Sequence, residues 1–528
     1  MKSFQIWILL LIFIQIETVI SFKCGTNYLK IKPKYLNIKG NNKTRSILKD
    51  TGDQPIEIAY DFTTLKKPNS MSSSIFETVK NNLKETRNEF SKILQVQHTD
   101  IDLEGAAEDI MEACLLNTIG EGYEDFLIDN DLIIFPMFDD LPSGTLAAAA
   151  PCLLHPETNR PVGGIVYINN NLDLGKTNTN FYMKNILLHE ITHILVFHPI
   201  FFNYFNMITT YNGVSYIKSP KVLEKAKEHF GCSTIQRIAL ENDGGEGSAG
   251  SHWESRYMLG DYMISTDFPD AAMSDITLAL FEDTGLYRVN YYSGGLFKFG
   301  KNKGCSFLNG ACTNNGAAAF DDFCTTSGQP TCSSSRAIKT SCYTTEGGYP
   351  TADSCPVPYE YHTQSSYYPK HCRYGTSSDS LEKIGESSFC FMSSLSQEST
   401  TSSEKPVCYE VSCDTTNKKI IVTVGSATII CDDETVSKPS GLQGNIICPK
   451  YSDLCASSTS SGKVYNDMYN IFTKKAADDR YTYPTTFNDF TGDAYDDDDV
   501  FWGFWRNDNY YTKINLILLA FGLLLSII

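Results

Sequence analysis

The chain opens on an apolar run, Ile6–Ile16, broken only by Gln15 and preceded by Lys2. Small residues, Val19 and Ser21, stand just before Phe22. A short apolar core with a basic start and small residues at its end predicts a secretory signal peptide over residues 1–21. Residues 22–50 are basic and lack a sustained period. Ile56–Phe62 alternates as a strand does. From Ile75 to Leu94, Phe76, Val79, Leu83, Phe90 and Leu94 mark one face of a long amphipathic helix. Leu132–Phe135, ended by Pro136, and Gly164–Ile168, flanked by Pro161 and Asn169–Asn171, predict two buried strands. Phe181–Phe197 contains neither Pro nor Gly and predicts a helix stopped by Pro199. Ile276, Ala279 and Leu280 repeat at helical spacing, with Gly285 placed to cap the end. Beyond Tyr287 the pattern turns to short alternating strands such as Lys419–Val424 among Cys, Ser, Thr and Tyr. The acidic stretch 478–509, with Asp496–Asp499 at its centre, reads as a solvated linker. Ile514–Ile528 is apolar again, but its fifteen residues fall short of the ~20 that cross a bilayer as a helix.

Composition sharpens this picture in two ways. The 528 residues carry 44 Lys+Arg against 62 Asp+Glu, a formal charge of −18. Nucleic-acid binding is excluded on that ground, because a binder of phosphates needs a basic surface. Seventeen cysteines, thirteen of them between Cys305 and Cys455, describe a disulfide-stapled and therefore exported C-terminal half. Export also fits the signal peptide and the sequon at Asn42, a glycosylation acceptor. A signal peptide paired with a short terminal apolar tail matches a GPI-attachment signal, with a short tail anchor as the other reading. Both hold the protein at the outer face of a membrane.

The chemistry concentrates in His189-Glu190-Ile191-Thr192-His193. Histidines at i and i+4 of a helix share a face one turn apart, so both ring nitrogens reach one zinc ion. Glu190, rotated off that face, is placed to hold and deprotonate a water on the metal's open position. A catalytic zinc needs a third protein ligand. By donor chemistry the candidates are His98, His155, His198, His229, His252, His362 and His371, or a later glutamate, Glu224 or Glu228. His252 has the most distinctive setting, since it follows the glycine-rich run Gly244–Ser251, and Met263 stands eleven residues on.

These strings resemble the leishmanolysin family, surface metalloproteases of the metzincin clan. The resemblance rests on His189-Glu190-x-x-His193, on Gly244-Gly245-x-Gly247-Ser248-Ala249-Gly250-Ser251-His252 and on Asp261-x-Met263. It continues through Leu278-Ala279-Leu280-Phe281-Glu282-Asp283-x-Gly285-x-Tyr287 and Gly304-Cys305-x-Phe307-Leu308, and covers the chain from about Gln95 to Cys312. It implies His189, His193 and His252 as ligands of one zinc ion per chain, Glu190 as general base and Met263 as the Met-turn residue beneath the metal. It implies disulfides Cys114–Cys152 and Cys232–Cys305. It also implies a propeptide thiolate that blocks the metal's open position, a role for which Cys24 is the candidate, although the setting Lys23–Asn27 lacks the family's flanking histidine. By analogy the strand around Val166–Ile168 pairs with an extended peptide substrate. One departure stands out: Val196 occupies the place of a family glycine that turns the chain out of the zinc helix. A β-branched residue resists positive φ, so the helix is expected to run to Phe197 and to turn near Pro199.

The expectation is thus an α+β, metzincin-like zinc endopeptidase acting on protein or peptide substrates, made as a zymogen and tethered to the outer cell surface. A catalytically inactive surface adhesion protein on the same scaffold is the alternative. Its expected parts are a propeptide (22–50), an N-terminal catalytic subdomain with the zinc helix (51–199), and an inserted middle segment with the third ligand and Met-turn (200–287). A Cys-rich, mostly β domain (288–475), an acidic linker (476–513) and the tail (514–528) complete the chain.

Overall fold

The computed structural model describes residues 53–97, 107–116, 130–170, 179–343, 352–397 and 403–466, with short interruptions, together with parts of 23–35, residues 101–102 and 127–128, Phe487 and Asp489. The signal peptide, Asn42, the run Asp496–Asp499 and the apolar tail lie outside the described residues.

A six-stranded mixed sheet forms the frame. Its strands are β1 (Lys23–Cys24), β2 (Lys34–Tyr35), β3 (Ile58–Tyr60), β4 (Leu132–Asp139), β5 (Thr145–Leu154) and β6 (Pro161–Asn169). The order is β1-β5-β6-β4-β3, with β2 also on β5. β6 runs parallel to β4 and antiparallel to β5, whereas β1 and β2 run parallel to β5. Nearly every residue of β4, β5 and β6 is buried, which is why these strands read as continuous apolar runs. β4 does not stop at Pro136. That residue pairs with Val166 beyond the last residue β3 covers, Ile134, where a strand tolerates the loss of one donor.

Two helices cover one face. Helix α1 (Ser73–Ile93) starts at Ser72, whose side chain accepts from the Ile75 amide. Helix α2 (Thr179–Leu195) carries the metal-binding string. Lys184 of α2 reaches Glu85 and Glu89 of α1 at 3.3 and 3.0 Å. Met183, Leu187, Leu188, Ile191, Ile194 and Leu195 of α2 share a core with Ile134, Ala149, Val166 and Ile168 of the sheet. Gly164 makes the approach possible, because a Cβ there would lie 2.4 Å from Ile194 Cγ2.

The following segment, with helices α3 (Pro199–Tyr204), α4 (Pro220–Phe230) and α5 (Asp275–Asp283), packs Phe202, Met207, Val222, Phe230, Met263 and Phe281 into that same core. The amide of Gly285, at φ +71°, bonds the Glu282 carbonyl just past α5. The Cys-rich part builds a second antiparallel sheet and its own core. Its longer strands are β7 (Ser388–Ser393), β8 (Lys405–Asp414), β9 (Lys419–Val424) and β10 (Ala427–Cys431). Eight disulfides join 114–152, 232–305, 312–355, 324–342, 332–390, 372–408, 413–455 and 431–448. The molecule is therefore mixed α/β, β-rich and heavily cross-linked.

Two expectations about the site's surroundings change. Val166–Ile168 does not offer a free edge for peptide pairing. It lies inside the sheet, with Val166 facing Ala149 on one side and Pro136 on the other. On the β5 side the sheet continues to β1 and β2. Helix α2 also ends at Leu195, two residues earlier than expected. The amides of Val196 and Phe197 both bond the Thr192 carbonyl at 2.9 Å, and Val196 stays out of the left-handed region. The chain reverses further on, where His198 adopts an extended backbone (φ −140°, ψ 141°) and caps α3 by accepting from the Ile200 amide. Displacing the reversal past Val196 removes the need for glycine there.

Candidate metal centre

Three imidazoles meet at the C-terminal part of α2. His189 and His193 stand one turn apart, and His252 comes from the glycine-rich loop. That loop is closed by its own backbone: the Gly250 amide bonds the Glu241 carbonyl at 2.8 Å, and the Glu241 amide bonds the His252 carbonyl at 2.9 Å. Gly247 and Gly250 adopt φ of +99° and +78°, a region open to glycine without cost.

Each ring is held through Nδ1 by a backbone carbonyl. His189 donates to Tyr262 O at 2.6 Å, His193 to Phe197 O at 2.7 Å and His252 to Ser248 O at 2.9 Å. These bonds fix the tautomer that leaves the lone pair on Nε2. The three Nε2 atoms then converge, with His193 to His189 at 3.0 Å and His189 to His252 at 3.2 Å. Three acceptor lone pairs aimed at one point repel one another, and a cation at that point removes the conflict. His193 and His252 are fully buried, while His189 keeps partial exposure. Burial, the largest influence, pulls His189 down to about 4 and His252 to about 3, and takes His193 well below its ordinary value. All three stay neutral near pH 7, as metal ligation requires.

The surrounding residues lock this geometry. Glu190 is buried on the same helical turn. Met263 is wholly buried; its carbonyl accepts from the Trp253 amide at 2.9 Å, and its amide donates to Asp261 Oδ1 at 2.7 Å. Asp261 Oδ2 takes the Thr277 hydroxyl at 2.8 Å and the Ser274 amide at 3.2 Å. Thr277 in turn accepts from Trp253 Nε1 at 2.7 Å. Tyr262 hydroxyl meets Thr192 Oγ1 at 2.8 Å. One network thus joins Thr192 of α2, Trp253 beside His252, the Asp261–Met263 turn and α5. Sequence reasoning gave no role to Trp253, Asp261, Tyr262, Thr192 or Thr277, because their partners lie far away along the chain.

The other candidate ligands stand elsewhere. His198 caps α3, and His229 bonds Phe299 O and stacks on Phe297. His155 Nδ1 accepts from Glu157 and Thr158 amides, and His371 lies in the Cys-rich part. Glu224 and Glu228 are exposed partners of Lys221 and Lys225. His98, His362 and the side chain of Cys24 lie outside the described residues.

A family model described as leishmanolysin matches residues 83–374 and 345–461. The chain belongs to the leishmanolysin family. It is 28% identical over 385 residues to a leishmanolysin homolog of Crithidia fasciculata, covering 65% of this chain and 58% of that protein. It is 24% identical over 380 residues to the leishmanolysin of Leishmania donovani, covering 64% and 63%. A leishmanolysin-like peptidase of Caenorhabditis briggsae is 42% identical over 94 residues, 18% of this chain and 14% of that one. The chain thus spans about three fifths of the length of the first two relatives. Within the leishmanolysin match fall all three converging histidines and Glu190.

Proposed function

We propose that this chain is a zinc-dependent endopeptidase that hydrolyses protein or peptide substrates. The observation that carries the reading is the convergence of three neutral imidazoles, with His189 Nε2 3.0 Å from that of His193 and 3.2 Å from that of His252, and all three ligand atoms within 4.8 Å of one another. Three neutral imidazole nitrogens from His189, His193 and His252 are the donor chemistry that would hold a zinc ion. Three protein ligands leave one corner for water. When bound, the ion acidifies that water and polarises the scissile carbonyl. Glu190 takes the proton as the water oxygen attacks the carbonyl carbon, then returns it to the departing amide nitrogen as the C–N bond breaks.

The N-terminal segment supports production as a zymogen. β1 and β2 lie along β5, the strand beside α2, and Tyr35 hydroxyl donates to Asn159 Oδ1 at 2.8 Å. While they stay there, an extended substrate has no access to that edge for β-addition; cleavage after the propeptide frees it. Cys24 is the candidate thiolate for the open metal position in the latent form. The apolar segments Ile6–Ile16 and Ile514–Ile528 favour export and attachment at the outer cell surface, by GPI or a short anchor. The catalytic part comprises 51–199 and the segment 200–287, followed by the Cys-rich domain 288–475.

Metal analysis and casein cleavage on processed protein test the proposal. Wild type and Glu190→Gln should each hold one zinc per chain, with cleavage lost in the variant by at least about a hundredfold. Full cleavage by Glu190→Gln removes the assigned base. Zinc without any cleavage in wild type leaves the inactive adhesion protein.

A further inference from the structure

Arg87 is 5% exposed on the inner side of α1, next to β3. Its guanidinium grips the Asp489 carboxylate with both terminal nitrogens, Nη2 to Oδ2 at 3.1 Å and Nη1 to Oδ1. The Tyr60 amide donates to the same Oδ1 at 3.0 Å. The Phe487 ring lies 4.3 Å from the guanidinium carbon and the Tyr60 ring 5.4 Å from it. Both side chains of the ion pair are at least nine-tenths buried. Among the described residues β3 is the terminal strand of the main sheet, paired with β4 alone, so Tyr60 points an edge amide away from the ladder. The acceptor for it comes from a part of the sequence that follows the Cys-rich body, whose last described residue is Asn466.

We propose that Arg87 and the Tyr60 amide form a receptor for the chain's own Phe487-Asn488-Asp489 segment, strapping the C-terminal stretch to the catalytic lobe. The recognised chemistry is an aromatic ring and a carboxylate two residues apart on one peptide. The carboxylate satisfies a buried bidentate guanidinium and an edge-strand donor together, and the ring covers the charge from water. A docked segment also closes an edge that would otherwise pair with another chain. The contact is made at β3 and α1, with Phe487 and Asp489 as its described residues. The receiving helix is the one whose Glu85 and Glu89 hold Lys184 of the zinc helix, so the strap is fastened one helix away from the metal ligands.

Hydrogen exchange on the full-length chain tests this, comparing wild type with Asp489→Asn and, as a milder change, Phe487→Ala. Losing a charge-assisted bond to a buried edge amide should speed Tyr60 exchange by about tenfold or more in Asp489→Asn. Phe487→Ala should speed it by a smaller factor, and amides of β8 and β9 should be unchanged in both. After trypsin nicking at Lys474, Lys475 or Arg480, the downstream fragment should leave the body faster in Asp489→Asn than in wild type. Unchanged Tyr60 exchange in both variants overturns the proposal. So does sedimentation showing that wild type is a dimer and Asp489→Asn a monomer, since the segment would then come from a second copy.

Discussion

Asp261 shows how a single side chain can hold a site it never touches. Burial raises its carboxyl to about 6, opposed by bonds from Ser274, Met263 and Thr277. Replacing it with Asn turns one acceptor into a donor facing other donors, an uncompensated clash worth about 2–3 kcal/mol. Asp261→Asn should therefore unfold at lower temperature and bind zinc more weakly, as thermal denaturation and metal titration will read. His371 offers a separate test with a definite sign. It is buried, its Nδ1 accepts from the Arg373 amide at 2.9 Å, and burial lowers it to about 3. Its folded pKa lies below the unfolded one, so the neutral ring's contribution is complete above about 6.5 and is lost as pH falls towards 3. Between pH 7.5 and 5, wild type should lose about 2 kcal/mol more than His371→Gln in urea unfolding. An equal loss in both would show that this ring stays accessible to protons.

Among elements, the seat of α2 on β6 decides whether the two helical histidines face His252. Gly164 is where the contact is closest, and Ile194, which it meets, adjoins His193. Gly164→Ala should cost about 1–3 kcal/mol by overpacking and should weaken zinc binding, while adding Ile194→Ala, which removes all three clashing carbons, should recover part of both. Stability curves and metal affinity for the single and double variants measure this coupling. The same elements show where local reading succeeds. α1, α2 and the strand Lys419–Val424 were legible because their apolar periods are strong and their ends carry a serine cap, a proline or a turn. Pro136 misled, because the rule it invokes is local, and a proline is tolerated where a neighbouring strand has ended. Val196 was read correctly as a residue that pushes the reversal on towards Pro199, though the helix itself ends at Leu195.

For the molecule as a whole, two kinds of cross-link divide the work. One core runs from Ile56 through α5 and on into Val357, Tyr359 and Tyr465 of the Cys-rich part, and the three converging histidines lie beside it. If the three histidines hold zinc as proposed, chelation should lower the melting temperature of this shared core more than that of the separate core of the β7–β10 sheet. Differential scanning calorimetry with and without a chelator would separate the two transitions. The Cys-rich body relies on disulfides, and removing 413–455 by a double Cys→Ser change should cost about 2–5 kcal/mol there. Strings of nearby residues already contained the metal-binding turn, the glycine-rich approach to His252, the stapled C-terminal half and the apolar segments at either end. Those features arise from spacing along one helix or one loop, where covalent geometry alone sets who meets whom. The carbonyls that orient each imidazole, the Asp261 network, the blocked edge of β6 and the docking of Asp489 on Arg87 were invisible there. Some of them, such as Tyr262 to His189 and Asp489 to Arg87, join residues tens to hundreds of positions apart, and others depend on a local chain path that is set by how helices and strands pack to bury one shared core.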